Sequence, residues 1–256
     1  MSPNARVACD ALNKTKETER IAKVIARAGL CSRRDAERWI ADGRVSVNGK
    51  TLKTPAFTVG PGDAVMVDGK PLPAAQAPRL FLYHKPVGLV TTARDEKNRP
   101  TVFDTLPPGL PRVVSVGRLD LNSEGLLLLT NDGGLARYLE LPSNSWERRY
   151  RVRVHGTVKP GDLAKLAHGV TVEGVHYGPI VAKIERVPTG ANAWLIVTLR
   201  EGKNREIRKV MAHLGLQVSR LIRTSYGPFE LGDLPSGSAK EVAPQILKKA
   251  VAGYFR

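Results

Sequence analysis

Two cysteines, Cys9 and Cys31, are all that the 256 residues contain, and no CxxC occurs. A disulfide framework is therefore excluded as the organising principle, and a reduced, cytoplasmic setting is expected. Long apolar runs are missing too, so no segment is predicted to span a membrane. The first nineteen residues lack the apolar core of a secretion signal and read as a disordered basic tail. Five histidines are scattered without metal-ligand spacing, so no metal is expected. No P-loop, dinucleotide fingerprint or kinase signature is present, which argues against a bound nucleotide cofactor. The most telling shortage is acid: 24 Asp+Glu stand against 40 Lys+Arg, a formal charge of +16. That imbalance predicts a polyanionic partner, because neutralising phosphates with lysine and arginine releases condensed counterions. An anionic membrane would attract the same charge, but no basic amphipathic stretch stands apart from a packed domain. Nucleic acid is the expected partner.

What is there divides in two, and the length allows a small domain plus one of ordinary size. Ile21, Val24, Ile25 and Ala28 recur at helical spacing up to Gly29, and Ser32 with Asp35 reads as a capping box opening a second helix that stops at Gly43. Arg44 to Leu52 alternates around Asn48-Gly49, a hairpin signal, and Val65 to Val67 with Asp68-Gly69 supplies another strand and turn. The polar face carries Lys23, Arg27, Arg33, Arg34 and Arg38, with Arg44 just beyond. A solvated basic face is the ordinary explanation, yet so compact a cluster on two adjacent helices suits the phosphates of a folded RNA. The segments AGLCSRRDAERWI and GRVSVNGK resemble the αL RNA-binding domain, named after a small-subunit ribosomal protein. This module implies an RNA partner over residues 20–70 but no reaction.

Pro71 to Arg79 is rich in proline and alanine and reads as a linker. Beyond it, residues 80–240 hold many short strands, interspersed helices and no βαβ repeat, which predicts an α+β domain with a mixed or antiparallel sheet. Leu80 to His84 is a strand running into Lys85-Pro86. In VGRLDLNSEGLLLLTNDG, Asp120 follows Gly117-Arg118-Leu119, and Leu126 to Leu129 is a buried strand. An aspartate beside an arginine more often serves structure than catalysis. In RRYRVRVHG, Tyr150 shares an inward face with Val152 and Val154, whereas Arg149, Arg151 and Arg153 share the other. Period two leaves open whether Tyr150 is core or site, and whether the arginines face solvent or RNA. Glu206, Ile207, Val210, Met211 and Leu214 outline a helix with Arg205, Arg208 and Lys209 off its apolar positions. A strand bearing Arg220 and Arg223 follows, and Glu241 to Tyr254 closes the chain as a helix and tail (241–256).

Taken together, YHKPVGLVTT, VGRLDLNSEGLLLLTNDG, RRYRVRV and REGKNREIRKVMAHLGLQVSRLIRTSYGPFEL resemble the catalytic domain of RsuA-type pseudouridine synthases. The nearest likeness is to RluB-type members, which act on large-subunit ribosomal RNA. The resemblance implies that Asp120 is the essential carboxylate, with Arg208 as its basic partner. It further implies that Tyr150 stacks on the target base, that Leu221 lies beneath the uracil, and that Lys85 and Arg118 position backbone or phosphate. Lys203, where related chains often have arginine, is expected to touch phosphate, as are Arg205, Arg220 and Arg223. The implied partner is a stem-loop of 23S ribosomal RNA, free or in an assembly intermediate, bound by a monomer. A member acting on 16S ribosomal RNA, or a non-catalytic ribosome-assembly factor, would explain the charge equally well. A glycosidase would need a second carboxylate about 5–10 Å from the first, and Glu124 is the near candidate. Asp120 is expected to meet Arg208 rather than its neighbour Arg118.

Overall fold

The computed structural model describes residues 18–186 and 190–255. It divides into two compact units between Ala77 and Pro78. In the first, β1 (Glu19–Arg20) leads into α1 (Ile21–Arg27) and α2 (Arg33–Ala41). Then come β2 (Val45–Val47), β3 (Lys50–Thr51), β4 (Thr58–Val59), β5 (Val65–Val67) and β6 (Lys70–Pro71). The order β3-β2-β5-β6 makes a small antiparallel sheet, and β1 pairs with β4. Ser32 and Asp35 form the expected capping box, with the Asp35 N–H donating to Ser32 Oγ at 3.0 Å. Asn48 and Gly49 both take positive φ, 50° and 78°, as the two-residue turn between β2 and β3 requires. Ile21, Ile25, Ala36, Ile40 and Val45 are fully or almost fully buried and form this unit's own core. Pro71 belongs to β6 and Leu72 packs on that core, so the extended segment starts after them rather than at Pro71. Of the tail expected over residues 1–19, only Thr18 and Glu19 are among the described residues, and Glu19 already belongs to β1.

The second unit is built on a mixed nine-stranded sheet. Its early strands are β7 (Leu80–Lys85), β8 (Val114–Val116) and β9 (Glu124–Thr130), followed by α3 (Gly133–Glu140) and β10 (Arg148–His155). After α4 (Pro160–Lys165), the hairpin of β11 (Val170–Val172) and β12 (Val175–Tyr177) stands apart from the main sheet. The remaining elements are β13 (Ile180–Ile184), β14 (Asn192–Leu199), α5 (Glu206–His213), β15 (Gln217–Tyr226), β16 (Phe229–Glu230), β17 (Ala239–Glu241) and α6 (Pro244–Ala250). Strand order is β13-β14-β10-β15-β9-β7-β17, with β8 on β9 and β16 on β15. Every pairing is antiparallel except β15 with β9.

Strand β9 explains the unbroken leucine run. Leu127 and Leu129 enter one core with Tyr83, Val152 and Leu195, while Leu126 and Leu128 enter a second with Leu135, Leu139 and Leu247. A strand covered on both faces reads as continuous hydrophobicity rather than alternation. Burying each such leucine contributes roughly 2 kcal/mol. Gly125 is required where β9 meets β15 in parallel: its φ is 103°, and a Cβ there would lie 2.3 Å from the Arg223 carbonyl oxygen. The helix expected in the C-terminal segment is α6, but it starts at Pro244 rather than at Glu241. Glu241 lies in β17, which pairs with β7, and Val242, Leu247 and Val251 are buried in the second core.

Candidate active site

Between β8 and β9 the chain makes the turn that carries Asp120, and partners distant in sequence hold its backbone. The Gly117 N–H donates to Glu140 Oε1 on α3 at 2.7 Å. Thr91 Oγ1 donates to the Leu119 carbonyl at 2.9 Å and accepts from the Leu119 N–H at 3.3 Å. The Leu121 carbonyl accepts from the Gly88 N–H at 2.9 Å. Lys85 Nζ donates to the carbonyls of Pro86, Asp120 and Ser123 at 2.9, 3.2 and 2.8 Å. The Asn122 carbonyl accepts from Arg208 Nη2 at 2.7 Å, and Arg208 Nη1 donates to the Val218 carbonyl at 3.1 Å. Each carbonyl from Leu119 to Ser123 therefore has a partner, and the turn presents the Asp120 side chain from a fixed frame.

Two expectations fall here. Arg208 does not pair with Asp120. Its guanidinium is spent on two backbone carbonyls that join α5 to the turn and to β15. Burial lowers its pKa, as does the neighbouring Arg205, and Asp120 opposes that shift. The cation that reaches the carboxylate is Arg205, whose Nη1 lies 3.7 Å from Asp120 Oδ2. Arg205 sits just before α5 in the left-handed region, φ 52° and ψ 31°, a conformation that costs a non-glycine residue about 1 kcal/mol. Lys85 is the second correction. It is completely buried, so it holds the backbone of the Asp120 turn from beneath and does not meet RNA phosphate. Burial lowers its pKa to about 8, opposed by Asp120 and Glu124.

The Asp120 side chain opens into a cleft of about 660 Å³ whose lining includes Tyr150, Leu221, Arg118, Lys203 and Arg205. That size suits one extruded nucleotide. Tyr150 and Leu221 are buried at 9% and 6% exposure, Tyr150 on β10 and Leu221 on β15. Arg118 is exposed on the cleft wall. Lys203 Nζ donates to the His176 carbonyl at 2.7 Å and to Glu201 at 2.8 Å. Arg220 is not a cleft residue: it clasps both oxygens of Glu124, at 2.5 and 3.2 Å, which ties up the second carboxylate a glycosidase would need. Arg223 lines the cleft but is buried, with Nε donating to the Leu126 carbonyl at 2.7 Å, so it is no surface phosphate ligand.

Several cleft residues carry no site role in the reading of the sequence. Arg94, Lys97 and Arg99 come from the loop after Thr92, where Arg99 clamps Asp95 and holds its carboxyl well below the usual range. Nothing in the sequence distinguished them from a solvated loop. Glu206 carried a signal, since it fell among the apolar positions of its helix. It is buried, its Oε2 accepts the Lys203 N–H at 2.9 Å, and burial raises its pKa.

In the N-terminal unit the predicted cations are mostly paired. Lys23 and Arg27 share Glu19, and Arg38 meets Asp35. Arg44 bonds Asp68 at 2.6 Å and lies 4.6 Å over the Trp39 ring. Arg33 and Arg34 are exposed and have no ion pair among the described residues.

Comparison with known proteins agrees with this architecture. Residues 79–213 match the RNA pseudouridylate synthase family, and residues 19–71 match the S4 domain, the ribosomal-protein module anticipated from the sequence. An RNA pseudouridine synthase of Rickettsia felis (strain ATCC VR-1525 / URRWXCal2) is 48% identical over 232 residues, covering 90% of this chain and 100% of its own. The ribosomal large subunit pseudouridine synthase B of Escherichia coli O157:H7 is 44% identical over 234 residues, covering 88% of this chain and 80% of its own. A crystal structure of a pseudouridylate synthase aligns with TM-score 0.64 at 25% identity, covering 91% of this chain and 99% of that one. With an S4 domain ahead of a mixed-sheet domain whose cleft holds Asp120, the chain belongs to the RNA pseudouridine synthase family.

Proposed function

We propose that this chain converts one uridine of large-subunit 23S ribosomal RNA to pseudouridine, acting as a cytoplasmic monomer on a stem-loop. The observation that carries the reading is the constellation in one cleft: Asp120 on a braced turn, Arg205 at 3.7 Å, and buried Tyr150 and Leu221 beside it. The 44% identity to enzymes named for the large subunit supports the choice of RNA. In the reaction the N1–C1′ bond breaks and a C5–C1′ bond forms. The proton at C5 leaves, N1 gains one, and no co-reactant is consumed.

The target uridine leaves its stack and lies between Tyr150 and Leu221, so that the sugar and base edge face Asp120. Whether the carboxylate attacks the sugar, adds to the base or takes a ribose proton, it acts ionised, and desolvation would disfavour that form. Arg205 offsets that cost without closing the site, since its side chain remains half exposed. Tyr150 stacks on the base and can relay the proton from C5. Arg118 and Lys203 at the cleft, with Arg33 and Arg34 on the S4 domain, meet phosphates.

Tritium release from ribosomal RNA labelled at uridine C5 and lacking native modifications tests the proposal. Release is expected from the wild type and is lost in Asp120→Asn. Absence of release with both 23S and 16S RNA would refute catalysis and leave an RNA-binding assembly factor. Release from 16S RNA alone would reassign the substrate.

A further inference from the structure

The central sheet is covered unevenly. Over β9 and β7 both faces are packed, by the two cores described above. Over β13, β14, β10 and β15 one face is buried, and along β14 burial alternates so that the even-numbered residues Trp194, Ile196 and Thr198 are left partly exposed. The same open face receives Arg149, Arg151 and Arg153 from β10, opposite to Tyr150, Val152 and Val154. Lys183 stands across from Ile196, and Arg220 across from Arg153. Five cations thus share one open face with two carboxylates, Glu185 on Arg151 and Glu124 on Arg220.

We infer that this open arginine face is a second RNA-docking surface, distinct from the catalytic cleft, and that it takes the phosphate backbone of substrate RNA flanking the target nucleotide. The inference rests on the proposed function only in taking RNA as the polyanion. Three features single out this face. Arg149 and Arg153 are exposed and carry no ion pair among the described residues. Both stand at register shifts between β10 and β15, where their carbonyls accept from Thr224 Oγ1 and Ser219 Oγ at 3.2 Å. Bulges of this kind re-aim side chains and are built rather than accidental. Between them, Arg151 lies 4.2 Å over the Trp194 ring, giving the centre of the face a flat platform of guanidinium and aromatic surface. Open sheet faces that combine aromatic platforms with basic side chains suit exposed nucleotides. Along one strand, arginines two residues apart recur at roughly 6.6 Å, close to the repeat of an extended nucleic-acid strand.

The test uses the full chain and an unmodified transcript of large-subunit ribosomal RNA, comparing wild type, Arg149→Ser/Arg153→Ser and Arg149→Lys/Arg153→Lys. Affinity is measured against salt, and single-turnover tritium release at saturating RNA. The serine pair is expected to bind on the order of tenfold more weakly and to lose about 1.5 from the log–log salt slope, two phosphate contacts' worth. Its rate at saturation stays at the wild-type value, because the cleft is untouched, and the lysine pair restores the slope. An unchanged slope in a serine pair that melts like the wild type overturns the inference. So does unchanged binding to naked RNA with binding lost only to a ribosome-assembly particle, which would assign the face to a protein. If the wild type isomerised no RNA, the proposed function would fail while the slope comparison still decided this one.

Discussion

The start of the N-terminal domain and the Asp120 turn are both held by side-chain hydrogen bonds, but over very different spans of chain. In the first, Ser32 and Asp35 are three residues apart, Lys23 and Glu19 four. In the second, Thr91 reaches Leu119 across 28 residues, Lys85 reaches Asp120 across 35, and Arg208 reaches Asn122 across 86. Local bonds stabilise an element that the sequence already favours. Long-range bonds fix a loop that has no preference of its own, and loss of one lets the loop move. The same kind of interaction should therefore affect stability alone in the first region and catalysis in the second.

The largest effect is expected at Lys85. Replacing it with methionine keeps the buried volume and leaves the Pro86, Asp120 and Ser123 carbonyls without their shared donor. The Asp120 carbonyl keeps the Ser123 N–H, so stability should fall by about 3 kcal/mol through the Pro86 and Ser123 carbonyls, since acceptors left unpaired cost about 1–3 kcal/mol each. Turnover should fall on the order of a hundredfold, as misplacing a catalytic group by an ångström does. The amine also gives the wild type a pH signature. Buried Lys85 releases its proton near 8, while the unfolded lysine keeps its proton to 10.5. Between those values the unfolded state binds more protons, so stability rises with pH. Thermal melts from pH 7.5 to 10.5 should show this rise in the wild type and a flatter curve in Lys85→Met. Equal slopes would mean that Lys85 is not held as described.

Arg205 and Arg208 come next, because they separate charge from framework. Arg205 acts on Asp120 through its charge, so Arg205→Lys should retain turnover within about threefold. Arg208 forks to two carbonyls, a geometry that an ammonium cannot reproduce, and Arg208→Lys should lose on the order of tenfold. The reverse pattern in single-turnover rates would return Arg208 to the role of Asp120's partner. Arg205→Gly sharpens the point further. It relieves the left-handed backbone, so stability should rise by about 0.5–1 kcal/mol while activity falls.

How far the sequence could be read follows the same division. The capping box, the Asn48-Gly49 turn, the inward face of Tyr150 and the leucine run of β9 are local patterns, and each stands where its pattern puts it. Asp120, Tyr150 and Leu221 could be singled out because motif resemblance carries residue identity across long distances. It did not carry geometry. Arg205 and Arg208 lie one helical turn apart with identical chemistry, and the left-handed backbone at Arg205 decides which guanidinium meets Asp120. Nothing near Lys85, at the end of a strand, marks it as buried, and its burial depends on a turn that returns 35 residues later. At the C-terminus the helix was legible and the strand before it was not: three residues of β17 carry too little pattern to announce an edge strand, and β7 supplies the ladder.

The smallest effect is expected at Ser32. Its Oγ accepts the Asp35 N–H at 3.0 Å and donates to Asp35 Oδ2 at 2.6 Å, closing the first turn of α2. Ser32→Ala removes both bonds and should cost about 1 kcal/mol in denaturant unfolding, the usual cost of a lost N-cap. The Ser32 hydrogen bond, ahead of Arg38, lowers the Asp35 pKa to about 2 from 3.8. A carboxyl depressed on folding stabilises above its unfolded value and loses that contribution as pH falls through the folded one. The difference between wild type and Ser32→Ala should accordingly be full at pH 6 and shrink between about 4 and 2. Turnover at saturating RNA should stay at the wild-type rate, because neither bond touches residues 117–123. A slower variant at saturation would show that capping of α2 reaches the Asp120 turn, and the contrast between local and long-range bracing would then fail at its simplest case.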